Sequence, residues 1–107
     1  MMDSITRLCA WFQRHSFGDW HEDHGIIIDT LDNPGWSLKI DLEGTELCDR
    51  QFSEIELNRS ERDWLTARKS GNCFEAFGGP MNLEEMLRAF LAWTESDAGV
   101  DETVRGK

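Results

Sequence analysis

The stretch GIIIDTLDNPGWSLKIDL, residues 25–42, decides the fold class of this 107-residue chain. Its two halves, GIIIDTL and WSLKIDL, are rich in β-branched and large apolar residues, and the turn signal between them is residues 32–35, Asp-Asn-Pro-Gly. In the second half apolar residues alternate with polar ones: Trp36, Leu38, Ile40 and Leu42 against Ser37, Lys39 and Asp41. The stretch predicts a β-hairpin with one buried and one wet face.

Further strands are predicted downstream of this hairpin. Apolar residues between Phe52 and Leu57 indicate a third strand, and a one-residue shift in their spacing suggests a bulge. Residues 63–69 and 73–77, separated by residues 70–72 with the sequence Ser-Gly-Asn, predict a second hairpin. The sheet then has about five strands.

Helical periodicity occurs at both ends of the chain. Ser4 or Asp3 is a candidate N-cap for a helix over residues 4–15. Its expected apolar stripe is Ile5, Leu8, Cys9 and Phe12, with Trp11 beside it. A second helix, over residues 82–96, follows the strand-breaking sequence Gly-Gly-Pro, with Asn82 and Glu85 as capping-box partners. Its stripe is Leu83, Met86, Leu87, Phe90 and Leu91.

The order of helix, consecutive strands and helix predicts a single α+β domain, with an antiparallel sheet flanked by an N-terminal and a C-terminal helix. We expect short hairpin connections, and both helices on one face of the sheet. The domain is predicted to span residues 1–96, and residues 97–107 to form a flexible acidic tail.

The chain is strongly acidic, with 21 acids, 11 bases and a formal net charge of -10. This charge disfavours nucleic acid and anionic membranes as partners and favours a basic protein, although acids also serve solubility alone. Residues 19–49 hold nine acids and one base, Lys39. No stretch approaches the length of a membrane span and no targeting signal is visible, so we expect a cytoplasmic protein.

The three cysteines are Cys9, Cys48 and Cys73, at spacings typical of neither a disulfide framework nor a zinc ribbon. Arg50, two residues after Cys48, suggests a thiolate, and a thiol-dependent or sulfurtransferase-like enzyme that uses Cys48 or Cys73 is the alternative function. Structural thiols are the simpler interpretation.

A weak metal-binding signal comes from His21 and His24, because an HxxH spacing on an extended loop places two imidazoles near one another. No further ligand stands at a suitable spacing, and polar loop residues are the simpler interpretation. The sequence contains no phosphate-binding glycine loop, nucleophile elbow or catalytic carboxylate signature, so we expect no enzyme activity, cofactor or metal.

Residues 18–47, GDWHEDHGIIIDTLDNPGWSLKIDLEGTEL, resemble the central signature of the immunity protein 53 family, and TLDNPGW, residues 30–36, is its most specific part. The resemblance continues through residues 63–65 and the helix pattern LEEMLRAFLAW, to about Trp93. In one departure, His21 precedes Glu22, the reverse of the family's order. The resemblance implies a single-domain antidote that binds and neutralises a cognate bacterial toxin. The acidic charge favours a basic toxin, for example a nuclease with a positive substrate groove, and we expect the antidote to be a monomer or homodimer.

The candidate toxin contacts are acids, and one tryptophan, from the acidic third of the chain: Asp19, Trp20, Glu22, Asp23, Asp32, Asp41 and Glu43. Complementary charge speeds association, and desolvated aromatics slow dissociation. The competing interpretation is that the acids form a solvated surface and that six other residues determine the fold: Gly18, Gly25, Asn33, Pro34, Gly35 and Trp36.

Overall fold

The structure is a computed structural model that describes residues 3–15 and 25–95. Its elements in chain order are α1 (Ser4–Arg14), β1 (Ile26–Leu31), β2 (Gly35–Asp41), β3 (Ile55–Asn58), β4 (Trp64–Ser70), β5 (Cys73–Gly78) and α2 (Leu83–Glu95). Both predicted helices and both predicted hairpins are confirmed, and the fold is α+β. The predicted tail, residues 97–107, lies outside the described residues.

The five strands form one antiparallel sheet in the spatial order β1-β2-β5-β4-β3. Short connections join β1 to β2, β3 to β4 and β4 to β5, but the expectation of a short hairpin between β2 and β3 is wrong. A strand has only two edges, and the second edge of β2 pairs with β5. The chain therefore crosses to the far edge of the sheet through residues 42–54, whose Leu42 and Leu47 are buried.

The core lies between α2 and one face of the sheet. Leu38 and Ile40 of β2 stand opposite Ala76 and Phe74 of β5, and all four side chains are fully buried. The side chains of α2 that cover them are Met86, Leu87, Phe90 and Leu91. The first helix, α1, packs chiefly against α2. Both helices therefore lie on one side of the sheet, as expected.

The buried side of α1 differs from the predicted stripe. Asp3 is the N-cap, since its carboxylate accepts a hydrogen bond from the Thr6 amide at 2.9 Å. Burial follows the 4-8-11 spacing of Ser4, Leu8 and Trp11, whereas three of the four predicted stripe residues are exposed: Ile5, Cys9 and Phe12. The large Trp11 ring sets the rotation of the helix, because it packs edge-on against Phe90 with ring centroids 5.0 Å apart.

The motif TLDNPGW has a structural role at one end of the sheet. A β-carbon on Gly35 would lie 2.3 Å from the Gly78 carbonyl oxygen, so the two backbones approach as closely as they do only because residue 35 is glycine. The Trp36 indole nitrogen donates a hydrogen bond of 3.0 Å to the Pro80 carbonyl oxygen. The first hairpin is thereby joined to the loop that leads into α2.

Asn82, which precedes α2, is 4% exposed and connects three segments. Its Nδ2 donates to Asp63 Oδ1 at 3.0 Å and to Glu85 Oε1 at 3.1 Å. The predicted capping-box partners therefore meet, but Asn82 donates through its side chain where the motif has an accepting N-cap oxygen. Arg59 also binds both carboxylates, and its hydrogen bonds, followed by those of Asn82, lower the pKa of Asp63 and of Glu85.

Candidate binding surface

Within residues 3–15 and 25–95, both helices lie on the same side of the sheet, and we call the opposite side the open face. Its side chains follow from strand alternation and from the register of the four strand pairs. They are Ile27, Asp29 and Leu31 of β1, Ser37, Lys39 and Asp41 of β2, Cys73, Glu75 and Phe77 of β5, Trp64, Thr66, Arg68 and Ser70 of β4, and Glu56 and Asn58 of β3. The open face therefore combines apolar, hydroxyl and charged groups.

The central row of the open face runs across all five strands. The register places Asp29 beside Ser37, Ser37 beside Phe77, Phe77 beside Thr66 and Thr66 beside Glu56. Phe77 is half-buried and lies in the middle of this row, with a hydroxyl on each side and a carboxylate at each edge. An aromatic ring in such a position offers apolar contact area at low entropic cost.

A neighbouring row alternates two cations with one carboxylate. Lys39 stands opposite Glu75, and Glu75 stands opposite Arg68. The Arg68 guanidinium and the Glu75 carboxylate form an ion pair with Nη2 and Oε1 3.1 Å apart. Cross-strand pairs of opposite charge stabilise a sheet modestly, which explains the position of Glu75 between two cations and leaves this row with a surplus of one positive charge.

A groove of about 450 Å³ lies at the β3 side of the open face. Glu56 of β3 and Glu54, which precedes β3, line it on one side, and Thr66, Arg68 and Phe77 line it from β4 and β5. Within residues 3–15 and 25–95, neither glutamate forms an ion pair or a side-chain hydrogen bond. The groove therefore holds two glutamates without an ion pair beside an apolar ring, and the guanidinium that also lines it, Arg68, is paired with Glu75.

Three of the seven predicted toxin contacts lie among the described residues. Asp32 is exposed in the turn between β1 and β2, whereas Asp41 ends β2 on the open face and accepts a hydrogen bond of 2.9 Å from the Glu43 amide. Glu43 is exposed. The structure thus brings Asp41 and Glu43 together and leaves Asp32 at the other end of β2, on the order of 20 Å away for a seven-residue strand. The remaining four, Asp19, Trp20, Glu22 and Asp23, lie outside the described residues.

Sequence reasoning missed the groove residues, although one signal for them was present. Strand β5 has the burial pattern of a strand with one covered face, and this pattern assigns Phe74 to the core and Phe77 to the open face. Phe74 and Phe77 are an odd number of residues apart, so the alternation of side chains along a strand places them on opposite faces of the sheet. The sequence could not show that Glu54 and Glu56 lie at an edge of the sheet, because the position of β3 depends on the order of the strands.

Hydrogen bonds to Glu46 connect α1 to the segment 42–54. Its carboxylate accepts hydrogen bonds from Trp11 Nε1 at 3.3 Å and from His15 Nε2 at 2.6 Å, and His15 Nδ1 lies 2.9 Å from the Trp11 carbonyl oxygen. Both nitrogens of the ring therefore face oxygen atoms of the protein. Burial raises the pKa of Glu46, but hydrogen bonds from its own amide, His15 and Trp11 outweigh burial and leave that pKa lowered.

The surroundings of the thiols lend no support to the thiol-enzyme hypothesis. Burial, followed by the charge of Glu75, raises the pKa of the Cys73 thiol, which disfavours the thiolate. Cys48 Sγ lies 3.4 Å from Asn72 Oδ1, a hydrogen-bond acceptor. Arg50, the expected activator of Cys48, donates instead to the Trp93 carbonyl oxygen at 3.1 Å.

Among the residues that the structure describes, no group of three or more His, Cys, Asp or Glu side chains is placed to hold a metal ion. The predicted pair His21 and His24 lies outside those residues. Within the same ranges, neither helix has the length and hydropathy needed to cross a bilayer.

The comparisons with known proteins agree with the resemblance of the sequence. The family model described as Immunity protein 53 matches residues 5–95. This range extends from the first turn of α1 to the last residue of α2 and includes all five strands. No curated protein and no solved structure matches the chain. Because the match covers most of the chain, the protein belongs to the immunity protein 53 family.

Proposed function

We propose that this protein binds a cognate bacterial toxin domain in the cytoplasm and neutralises it by covering the toxin's active surface, without catalysis of its own. Membership of an immunity protein family is the observation that carries the proposal. The protein acts as a monomer or homodimer and binds neither nucleic acid nor membrane.

The charge of the chain supports a basic partner, such as a nuclease with a positive substrate groove. A net charge of -10 on a chain of this size attracts a cationic protein over a distance of about a Debye length, roughly 8–10 Å at physiological salt. The exposed acids Asp32 and Glu43, with Asp41 beside Glu43, are candidate contacts among the described residues. Asp19, Trp20, Glu22 and Asp23 complete the proposed set.

The test is co-expression of this protein with the toxin domain encoded beside its gene. We expect restored growth, and a stable complex when an inactive variant of the toxin is used for purification. The control is an unrelated protein of similar length and net charge, which should neither restore growth nor co-purify. Growth arrest that persists in the presence of well-expressed protein, together with the lack of a complex, would contradict the proposal.

A further inference from the structure

We propose that the groove on the open face receives a basic side chain of the partner, an arginine or lysine whose stem lies on Phe77 and Thr66 and whose charged head pairs with Glu54 and Glu56. This inference rests on the proposed function and assigns its contact to one surface of the fold.

The charge balance of the open face distinguishes this groove from the rest of the surface. Glu75 is already paired with Arg68 at 3.1 Å and stands beside Lys39, so it has little attraction left for a ligand. Glu54 and Glu56 have no such partner among the described residues. Arg68 also lines the groove, but its ion-pair partner is Glu75. A cation that enters the groove therefore meets two carboxylates that form no ion pair among the described residues.

The shape of the groove suits a long amphipathic side chain. Arginine and lysine bury their methylene stems on apolar surface while the charged head stays at a polar rim. Phe77 provides the apolar surface, and its ring is also an acceptor for cation–π contact. The volume of about 450 Å³ lies within the range of roughly 300–1,000 Å³ that is common for ligand sites.

The position of the groove is compatible with a protein partner. It lies on the side of the sheet opposite α1 and α2, so a partner can approach without displacing either helix. Strand β3 is at the edge of the sheet and pairs only with β4 among the described strands. A partner that binds there covers the groove together with the outer edge of β3.

The experiment measures the affinity of the inactive toxin domain for matched charge-reversal variants by calorimetry. The test variant is the double substitution Glu54→Lys and Glu56→Lys, and the control is Asp49→Lys with Glu61→Lys. All four positions are exposed, and the two pairs change the net charge equally. Both variants therefore lose a similar amount of long-range attraction. Any further loss of affinity in the test variant comes from local contacts in the groove.

We expect the groove variant to bind about 100-fold more weakly than the control variant, with an unchanged melting temperature. Thr66→Arg, which fills the groove with a cation, should also weaken binding strongly. Equal affinities of the two double variants would overturn the groove assignment and leave the antidote role intact. Failure of the wild-type protein to bind would overturn both. A homodimer that dissociates in the groove variant would also overturn the assignment, because the face would then bind a second copy.

Discussion

A β-carbon placed on Gly35 would lie 2.3 Å from the carbonyl oxygen of Gly78, closer than side-chain and backbone atoms approach in proteins. The two glycines belong to neighbouring strands, so any side chain at residue 35 forces β2 and β5 apart. We expect Gly35→Ala to lower the free energy of unfolding by about 3 kcal/mol, since overpacked sites cost roughly 1–3 kcal/mol. Chemical denaturation monitored by tryptophan fluorescence measures the loss.

Gly71→Ala is the matched control for that prediction. Gly71 has a φ of +61° but no atom within 4 Å of an added β-carbon, so only backbone strain opposes alanine there. We expect a smaller loss, of about 1 kcal/mol. Equal losses at the two glycines would show that the contact with Gly78 is relieved by a small shift of the strands.

The carboxylate of Glu46 should make the stability of the fold depend on pH in the acid range. Its pKa is lowered in the folded protein below the ordinary value of 4.5, so its contribution is fully present above that value. The contribution is lost as pH falls through the lower pKa of the folded state, because protonation removes the negative charge of Glu46 and turns one of its two accepting oxygens into a donor. Glu46→Gln should therefore lose less stability than the wild type between about pH 6 and pH 3, as measured by urea unfolding.

Glu61→Gln is the control for this pH dependence, because Glu61 is exposed and takes no part in the hydrogen bonds between Glu46 and α1. Its unfolding profile should follow that of the wild type. If the free energy of unfolding of Glu46→Gln falls with pH as steeply as that of the wild type, Glu46 does not contribute to the pH dependence.

Asn82→Asp should destabilise the protein more than Asn82→Ala at about pH 7. The substitution replaces an amide donor with a third carboxylate, next to Asp63 and Glu85 at the distances of 3.0 and 3.1 Å that the amide now spans. Burial of an uncompensated like charge costs more than loss of a hydrogen bond, which is worth about 1 kcal/mol. The melting temperatures of the two variants, measured at pH 7 and at pH 4, give the comparison.

Lower pH should reduce the difference between the two variants, because protonation restores a donor and removes the repulsion. Asn33→Asp, in the exposed turn between β1 and β2, should change the melting temperature little at either pH. If Asn82→Asp proves as stable as Asn82→Ala at neutral pH, Arg59 compensates for the added charge.

Alkylation should distinguish Cys9 from Cys73. Cys9 is exposed on α1, whereas Cys73 is partly buried and its pKa is raised by burial and by Glu75. Since the thiolate is the reactive form, iodoacetamide at about pH 8 should modify Cys73 more slowly than Cys9. Mass spectrometry of timed samples measures both rates. Unusually fast modification of Cys73 would revive the thiol-enzyme hypothesis.

Local patterns in the sequence predicted the elements of this fold with small errors at their ends. The alternation of residues 36–42 defines β2, and the periodicity of residues 83–91 defines α2, because each signal depends only on the repeat of a single strand or helix. The same argument predicted the wrong buried side for α1. A helix with apolar residues on two sides has two candidate buried faces, and only contact with Phe90 selects the side of Trp11.

The sequence by itself determined the α+β class, the two hairpins, the acidic charge and the family. Only the tertiary structure decided the order of the strands, the close contact of Gly35 with Gly78, and the separation of Asp32 from Asp41 and Glu43. The pairing of β5 with β2 also brings Ser37 beside Phe77, and the pairing of β3 with β4 brings Glu56 beside Thr66. The physical reason is that strand pairing joins segments distant in sequence, so a surface built across several strands leaves no mark in any one of them.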